Sequence, residues 1–307
     1  MILVTGATGF LGSSVCEYLD LTGRQYKGTS KSLGVDLCDY KQTRDFLVSE
    51  GISVVFNCAA YVGGIQFGLQ READIFSNNM LMTVNLLRAC QESGVKKIVN
   101  PISNCAYPGE LSLFKEEDFW SGALHPSVLV YGMCRKMAVI GSHAFRRQYG
   151  LSCTNIILSN MYGPRDHFDP ERSHALGALV HKIASAKING EKQVVVWGSG
   201  TPIREWLYVD DGAKAVCLGE QIDTDDEIIN IGCSSGVSII SLAESIASEI
   251  GYEGELLLDK SKPDGAPHKT VDGTRGAKLM GWQPGTTLQH GIRETINWYL
   301  NSRGIAL

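Results

Sequence analysis

Short apolar segments recur along the first half of the chain, and stretches with helical spacing separate them. The strand-like segments cover residues 1–5, 25–29, 53–60, 97–100 and 153–159. The helical patterns cover residues 13–21, 41–50, 73–93 and 131–149. Continuous apolar strands are typical of sheets buried on both faces, and strands that alternate with helices predict a doubly wound parallel sheet in an α/β protein.

The pattern changes after about residue 160. Gly, Pro and charged residues cluster in 162–170, before a predicted helix at 173–186 and a predicted strand at 193–197. Short elements and loops fill the C-terminal third. We therefore interpret the chain as two domains: residues 1–159 with a returning segment at about 206–232, and a smaller substrate-binding domain formed by 160–205 and 233–307.

Three glycines with the spacing G-x-x-G-x-x-G lie between the first strand and the first helix. Gly6 permits the tight turn, Gly9 lets the backbone approach a pyrophosphate, and Gly12 lets the helix pack closely on the strand. The helix N-terminus adds N–H groups and partial positive charge. The alternative is a glycine-rich turn without a ligand, but the flanking strand and helix favour a dinucleotide-binding Rossmann domain.

The end of the second predicted strand bears on the choice of cofactor. An acidic residue there suits the ribose 2′-hydroxyl of NAD, whereas a cation suits the 2′-phosphate of NADP. Residues 28–32 contain Ser30 and Lys31 and no carboxylate. This favours NADP, with a simply solvated lysine as the alternative.

Composition narrows the possible partners. The 307 residues carry a net charge of −5 and contain no basic run, which favours a small-molecule substrate over nucleic acid. Nine scattered cysteines without a C-x-x-C pair indicate reduced thiols and a cytoplasmic protein. The histidines lack metal-ligand spacing, so we expect no metal site. No apolar run approaches the roughly 20 residues of a membrane span.

Several motifs resemble those of a known family. The glycine turn, a tyrosine at the start of the 131–149 helix and Asn-Met-Tyr-Gly-Pro at 160–164 resemble the extended short-chain dehydrogenase/reductases. Further segments resemble the GDP-L-fucose synthase family of 3,5-epimerase/4-reductases along nearly the whole chain. These segments are residues 59–65, 103–108, 173–176, 194–205 and 261–265.

The resemblance implies a catalytic set. Ser103 would hydrogen-bond the 4-oxygen of a GDP-4-keto-6-deoxy sugar, and Tyr131 would protonate that oxygen as hydride arrives from NADPH. Cys105 and His174 would be the acid/base pair that epimerises carbons 3 and 5. The residues expected to line the substrate pocket are Asn160, His174, Lys182, Trp197, Arg204 and Lys269. The residues expected to contact the cofactor are Gly6, Gly9, Phe10, Leu11, Gly12, Ser30, Lys31, Asp36, Leu37, Ala59, Ala60, Tyr61, Leu158 and Asn160.

These residue types suit the chemistry. Epimerisation beside a carbonyl needs a base on one ring face and an acid on the other. A thiol with a reference pKa of about 8.5 and an imidazole near 6.5 both titrate close to neutral pH. Without the resemblance, Cys105 could be inert, His174 a surface histidine at a helix start, and Trp197 a core residue of its apolar strand.

One position departs from the family pattern Tyr-x-x-x-Lys, because Arg135 takes the lysine position and Lys136 follows it. A cation there is expected to lower the pKa of Tyr131 from about 10, and Arg135 keeps that charge. Lys136 lies about 100° further round the helix and should not reach the same spot. Arg135 is therefore included among the expected catalytic residues. Since arginine and lysine are not interchangeable, the sequence supports the reductase step less strongly than the epimerase step.

Three interpretations follow from the sequence. The leading one is an NADP-dependent epimerase/reductase of a GDP-4-keto-6-deoxy sugar, or a close variant that acts on a related GDP-keto-sugar. The second is a nucleotide-sugar 4-epimerase or dehydratase that recycles NAD(P). The third, of another class, is a non-catalytic NADP-binding regulator. The helices at 73–93 and 131–149 match a pair that forms a homodimer interface in the family.

Overall fold

The computed structural model describes residues 1–169, 172–223, 228–262 and 264–305. Pro263 of the 261–265 segment, Pro170 and part of the returning segment lie outside these residues. The strands are β1 (Ile2–Thr5), β2 (Tyr26–Thr29), β3 (Val54–Asn57), β4 (Lys97–Ser103), β5 (Ser152–Leu158), β6 (Asn160–Tyr162), β7 (Gln193–Trp197), β8 (Ile203–Arg204), β9 (Trp206–Tyr208), β10 (Ile229–Ile231), β11 (Val237–Ser238), β12 (Glu255–Asp259) and β13 (His268–Lys269).

The α-helices flank these strands in the expected alternation. They are α1 (Phe10–Leu21), α2 (Tyr40–Ser49), α3 (Ile65–Gln70), α4 (Glu72–Glu92), α5 (Leu129–Tyr149), α6 (Ala175–Asn189), α7 (Val209–Leu218), α8 (Ile239–Ile250), α9 (Thr274–Met280) and α10 (Leu288–Ser302). In the described residues, no helix is long and apolar enough to cross a membrane.

A central sheet of six parallel strands organises the molecule, in the order β10-β5-β4-β3-β1-β2. Its apolar side chains pack against α1 and α7 on one face, and against α2 and α4 on the other. This confirms the predicted doubly wound α/β fold. The strand order reverses direction between β1 and β3, and ligands of open α/β sheets bind beyond the carboxyl ends of the strands at such a point.

Smaller sheets lie beyond the central one. Strands β7 and β12 pair in parallel, β8 lies between β11 and β13, and β6 pairs with β9. Helices α6, α8 and α10 share one apolar cluster with residues of β6, β7 and β9. Strand β10 returns to the edge of the central sheet beside β5. The division into two domains remains an interpretation.

Several element bounds differ from the sequence prediction. Helix α1 begins at Phe10 rather than at residue 13, because Gly9 acts as its N-cap. Strand β4 continues through Pro101 to Ser103, although proline cannot donate a ladder hydrogen bond. Helix α3 was not predicted, and the apolar pattern at 53–60 forms a strand only over β3. These differences fall at the edge of the sheet where the site is built.

Candidate active site

The glycine turn has the geometry of a phosphate cradle. Gly6 has a φ of +63°, and a Cβ on Gly12 would lie 2.1 Å from the Gly6 carbonyl oxygen. Gly9 is the N-cap residue of α1 and makes no side-chain cap hydrogen bond to the amide groups of the first turn, which begins at Phe10 and Leu11. Such a helix start suits the pyrophosphate of a dinucleotide, and the residues present therefore fit that cofactor.

The segment after β3 forms the opposite rim of this cradle. The Thr5 hydroxyl donates to Asn57 Oδ1 at 3.0 Å and accepts the Ala59 N–H at 3.2 Å. Asn79 holds Tyr61 by both backbone groups, at 3.1 Å to its nitrogen and 2.8 Å to its oxygen. Hydrogen bonds from the side chains of Thr5 and Asn79 to the backbone thus hold residues 59–61 beside the turn.

Beyond the end of β2, the structure pairs Lys31 with Asp36, a carboxylate that lies outside residues 28–32. The Lys31 ammonium lies 2.9 Å from Asp36 Oδ2, and the Lys31 side chain is 81% exposed. Hydrogen bonds from Lys31 and from the Cys38 amide hold the pKa of Asp36 below its usual value. A carboxylate therefore does lie at this end of the sheet, five positions beyond Lys31. Ser30 contacts Ser32, and Leu37 is buried.

Ser103 and Cys105 lie at the carboxyl edge of the sheet. Strand β4 ends at Ser103, which pairs with Leu158 at the end of β5. A short 3-10 turn follows, and the Ser103 hydroxyl accepts the Cys105 N–H at 3.2 Å. Asn160 lies just beyond β5 and donates from Nδ2 to the Glu205 carbonyl at 3.0 Å.

Tyr131 reaches the same place because α5 packs tightly against the 3-10 turn. A Cβ on Gly132 would lie 2.5 Å from the Cys105 carbonyl oxygen, so only glycine permits this approach. Tyr131 is the preceding residue of α5 and interacts electrostatically with Cys105. The structure therefore brings Ser103, Cys105 and Tyr131 together at this edge of the sheet.

Lys269, one of the residues expected to line the substrate pocket, lies beside the Cys105 thiol. Its Nζ is 3.7 Å from Cys105 Sγ, and in the β8–β13 pair it stands opposite Arg204. Burial alone would raise the pKa of the Cys105 thiol. Interactions with Lys269, Ser103 and His174 outweigh burial, so that the pKa lies below its ordinary value and the thiolate is favoured.

His174 has the opposite charge preference. It is the N-cap residue of α6, and its Nδ1 lies 3.8 Å from the Oδ1 of buried Asp166. Burial and the nearby Lys269 would lower the pKa of His174, but Asp166 and Cys105 raise it above its ordinary value. The neighbouring charges thus shift Cys105 towards the thiolate and His174 towards the imidazolium, each relative to the free side chain.

The pKa of Tyr131 corrects one expectation from the sequence. The pKa is raised rather than lowered, because burial outweighs the opposing interaction with Arg135. Arg135 is itself buried, with its guanidinium carbon 5.7 Å from the centre of the Tyr131 ring. Lys136 instead donates to the Phe119 carbonyl at 2.6 Å, so the expectation that it does not reach Tyr131 is confirmed.

Two further residues expected in the substrate pocket, Lys182 of α6 and Trp197 of β7, lie beside each other. Trp197 is 48% exposed, which rules out the core alternative, and the ammonium groups of Lys182 and Lys262 lie 4.7 and 5.4 Å from its ring centre. Lys182 follows His174 by two helical turns, about 12 Å along the axis. The Trp197 indole and the ammonium groups of Lys182 and Lys262 form a cluster that we call the Trp197 platform.

Sequence reasoning missed two residues of the site. Asp166 lies in the cluster of Gly, Pro and charged residues after β6, where nothing distinguishes it from its neighbours. His125 had been grouped with solvated histidines, but burial, Lys269 and Arg204 lower its pKa. Among the described residues, no group of His, Cys, Asp and Glu has the arrangement of a metal site.

Comparisons with known proteins identify the family of this chain. The family described as NAD dependent epimerase/dehydratase matches residues 2–232. GDP-L-fucose synthase 1 of Arabidopsis thaliana is 34% identical over 302 residues, which cover 98% of this chain and 93% of that protein. GDP-L-fucose synthase of Escherichia coli is 32% identical over 312 residues, which cover 98% and 97%.

The fold agrees with solved structures as well. A GDP-L-fucose synthetase from Naegleria fowleri, solved with NADP bound, superposes with a TM-score of 0.88 at 29% identity, over 99% of this chain and 95% of that one. The resemblance stated from the motifs is therefore confirmed. The chain belongs to the NAD dependent epimerase/dehydratase family, among relatives that are GDP-L-fucose synthases.

Proposed function

We propose that this protein is an NADPH-dependent epimerase/reductase of a GDP-4-keto-6-deoxy sugar, with GDP-4-keto-6-deoxymannose converted to GDP-L-fucose as the leading reaction. The observation that carries the proposal is the pairing of a thiol biased towards thiolate with an imidazole biased towards imidazolium, beside Tyr131. The names of the relatives support the choice of substrate.

The acid/base pair accounts for epimerisation. The C4 carbonyl of the sugar acidifies the C–H bonds at carbons 3 and 5. The Cys105 thiolate removes such a proton from one ring face and becomes a thiol, which leaves an enolate. His174 then delivers its imidazolium proton to the same carbon from the other face, and exchange with solvent restores both charge states. A deprotonated base and a protonated acid are the forms that the neighbouring charges favour.

Reduction needs an acid at the C4 oxygen. When bound, the nicotinamide supplies hydride to C4. Because burial raises the pKa of Tyr131, its hydroxyl is protonated at neutral pH and donates that proton to the oxygen. The Ser103 hydroxyl lies at the same edge and stabilises the oxygen by a hydrogen bond. The Arg135 guanidinium stabilises the phenolate that remains, so arginine supplies the charge that lysine provides in the family pattern.

The nucleotide half of the substrate suits the cationic surface beyond this pair. Arg204 has a planar guanidinium of the kind that suits a diphosphate, and its Nη1 and Nη2 donate to the Ile203 and Asp264 carbonyls at 2.8 and 3.2 Å. The Trp197 ring, with the Lys182 ammonium 4.7 Å from its centre, offers a stacking face and a positive charge to the nucleotide. A GDP-sugar that spans from His174 to Trp197 would place its keto-sugar ring at the acid/base pair.

A second candidate is a nucleotide-sugar 4-epimerase that recycles NAD. The Asp36 carboxylate favours it, because an acidic group at the end of the second strand suits a ribose 2′-hydroxyl. The NADP bound to the Naegleria fowleri relative and the cation at Lys31 support NADPH. The thiolate–imidazolium pair, which a 4-epimerase does not need, makes us prefer the reductase. The nine free thiols support a cytoplasmic location.

The proposed function is tested by incubating the protein with GDP-4-keto-6-deoxymannose and NADPH in D₂O. We expect loss of NADPH absorbance and deuterium at carbons 3 and 5 of the product. Cys105→Ser should abolish deuterium uptake while NADPH binding persists, because the thiol does not contact the glycine turn. Cys16→Ser, at a half-buried thiol outside the site, is the control.

Neither oxidation of NADPH nor deuterium uptake would overturn the proposal. Uptake without oxidation would leave the epimerase and remove the reductase. Equal rates with NADH in place of NADPH would contradict the choice of cofactor.

The contact between Lys269 and Cys105 predicts a change in thiol titration. The ammonium stabilises the thiolate, so Lys269→Met should raise the pKa of Cys105 by about one unit, and Lys269→Arg should change it less. The pH dependence of iodoacetamide alkylation at Cys105 measures this, with Cys105→Ser as the baseline. Lys262→Met, a lysine on the Trp197 platform, is the matched control. A midpoint that does not move in Lys269→Met would contradict the assigned interaction.

We also propose that the chain forms a homodimer through α4 and α5, which pack side by side. Their outer surface exposes large apolar side chains at helical spacing, between 39% and 57% exposed, and a second copy of the same surface would cover them. These side chains are Phe76, Leu81, Val84, Met133, Met137 and Ile140.

The dimer proposal predicts the effect of a buried charge. Ile140→Glu would place a carboxylate in the apolar interface and should convert a dimer into a monomer in sedimentation equilibrium. Leu21→Glu adds the same charge to an 86% exposed residue on α1 and should leave the dimer intact. A wild-type protein that sediments as a monomer at micromolar concentration would refute the proposal.

A further inference from the structure

Asp166 is a buried carboxylate that the reaction described above does not use directly. Its side chain is only 2% exposed. One oxygen, Oδ1, accepts the His167 N–H at 2.7 Å, whereas Oδ2 has no hydrogen-bond partner within the described part of the chain. A buried carboxylate with an unsatisfied oxygen costs stability and therefore calls for an explanation.

The backbone turn that contains Asp166 is anchored to α1, outside the site, by the neighbouring residue Arg165. Arg165 has a φ of +67°, a conformation that is unfavourable for residues other than glycine. Its guanidinium makes two hydrogen bonds to Glu17 on α1, at 2.6 and 2.7 Å. This ion pair stabilises the strained residue, and the position of the Asp166 backbone follows from it.

The backbone of His174 is held from another side. The Gly64 N–H donates to the Arg172 carbonyl at 3.0 Å, and a Cβ on Gly64 would lie 2.4 Å from the Ser173 carbonyl oxygen. His174 then caps α6 as the next residue. With both backbones held, the distance of 3.8 Å between His174 Nδ1 and Asp166 Oδ1 needs only a side-chain rotation to become a hydrogen bond. Catalytic hydrogen bonds are often long in free enzymes and tighten on binding.

The charges around His174 explain why a carboxylate is needed. The charged or titratable groups that act on its imidazole are Asp166, Cys105 and Lys269. The Lys269 ammonium repels an imidazolium, and it is itself required beside the Cys105 thiolate. Of the three groups, Asp166 is the anion that favours a charged His174 whether or not Cys105 is ionised.

We propose that Asp166 is the positioning residue of the acid/base pair: it accepts a hydrogen bond from His174 Nδ1, so that Nε2 is the atom that faces the sugar. This inference rests on the proposed function for the role of His174 as acid. It assigns Asp166 no contact with the substrate. The geometry is that of a carboxylate that orients an imidazole by one nitrogen and leaves the other free to transfer a proton.

Nitrogen-15 NMR of the histidine rings tests the proposal without any sugar. The His174 resonances are identified by their loss in His174→Gln. Above its pKa, His174 should carry its proton on Nδ1 in the wild-type protein. A neutral form protonated mainly on Nε2 would overturn the proposal. Because this measurement uses the wild type, it decides the question even if an Asp166 variant does not fold.

Two matched aspartate variants separate orientation from general disturbance of the loop. Removal of the carboxylate in Asp166→Asn destabilises the imidazolium, so the pKa of His174 should fall by about one unit. Asp169→Asn changes an aspartate three residues away that interacts with His181. It should lower the pKa of His181 and leave His174 unchanged, whereas Asp166→Asn should leave His181 unchanged. A folded Asp166→Asn protein in which the pKa of His174 stays at the wild-type value would contradict the proposal.

The pH profile of deuterium uptake gives the functional readout. Activity that requires an imidazolium is lost as the pH rises through the pKa of His174, so this loss should occur about one unit lower in Asp166→Asn. If the wild type shows no deuterium uptake but the ring titrations behave as expected, the proposed function fails and the role of Asp166 in orienting His174 stands. If uptake occurs but its alkaline limb is the same in both proteins, the role of Asp166 fails.

Discussion

The close approach of α5 to the turn after β4 is the constraint on which the site depends. Gly132 leaves no room for a side chain against the Cys105 carbonyl, so the tyrosine before it is placed beside the thiol. The position of α5 along the sheet is set by a buried polar cluster. Asn100 of β4 donates from Nδ2 to the Ser142 hydroxyl at 3.1 Å and to Asn155 Oδ1 at 3.2 Å, which joins α5 to two strands. Buried groups satisfied in this way favour one arrangement over others.

Around that contact, neighbouring charges give Cys105 and His174 opposite charge preferences. Lys269 arrives from β13 and stabilises a thiolate, and Asp166 arrives from the turn after β6 and stabilises an imidazolium. Each companion lies within 4 Å of its partner, at 3.7 Å between Lys269 Nζ and Cys105 Sγ and at 3.8 Å between Asp166 Oδ1 and His174 Nδ1. Burial has the opposite use at Tyr131, where it keeps the hydroxyl protonated despite the neighbouring Arg135. In the proposed function, these three groups serve as a base for the carbon acids, an acid for the same carbons and an acid for the carbonyl oxygen.

The sequence predicted the parts that depend on local pattern. Hydrophobic periodicity identified β1 to β5 and the helices α1, α2, α4 and α5, but not α3, and the glycine spacing identified the candidate phosphate cradle at Gly6 to Gly12. The resemblance selected Cys105 and His174 from nine cysteines and seven histidines. The contact of Lys269 with Cys105 joins residues 164 positions apart, and no local pattern encodes it. The sequence likewise did not predict the pairing of Lys31 with Asp36 or the raised pKa of Tyr131, because both depend on how loops and helices pack.

The central claim is that the tight contact at Gly132 sets the geometry in which Cys105 and Tyr131 act on one sugar. Gly132→Ala tests it most directly, because the added methyl group forces α5 away from the Cys105 carbonyl. The Gly132→Ala protein should still bind NADPH through the distant glycine turn. Its deuterium uptake and NADPH oxidation should both fall by about 100-fold, because displacing reacting groups by roughly an ångström has an effect of this size. A folded Gly132→Ala protein with both rates unchanged would contradict the account.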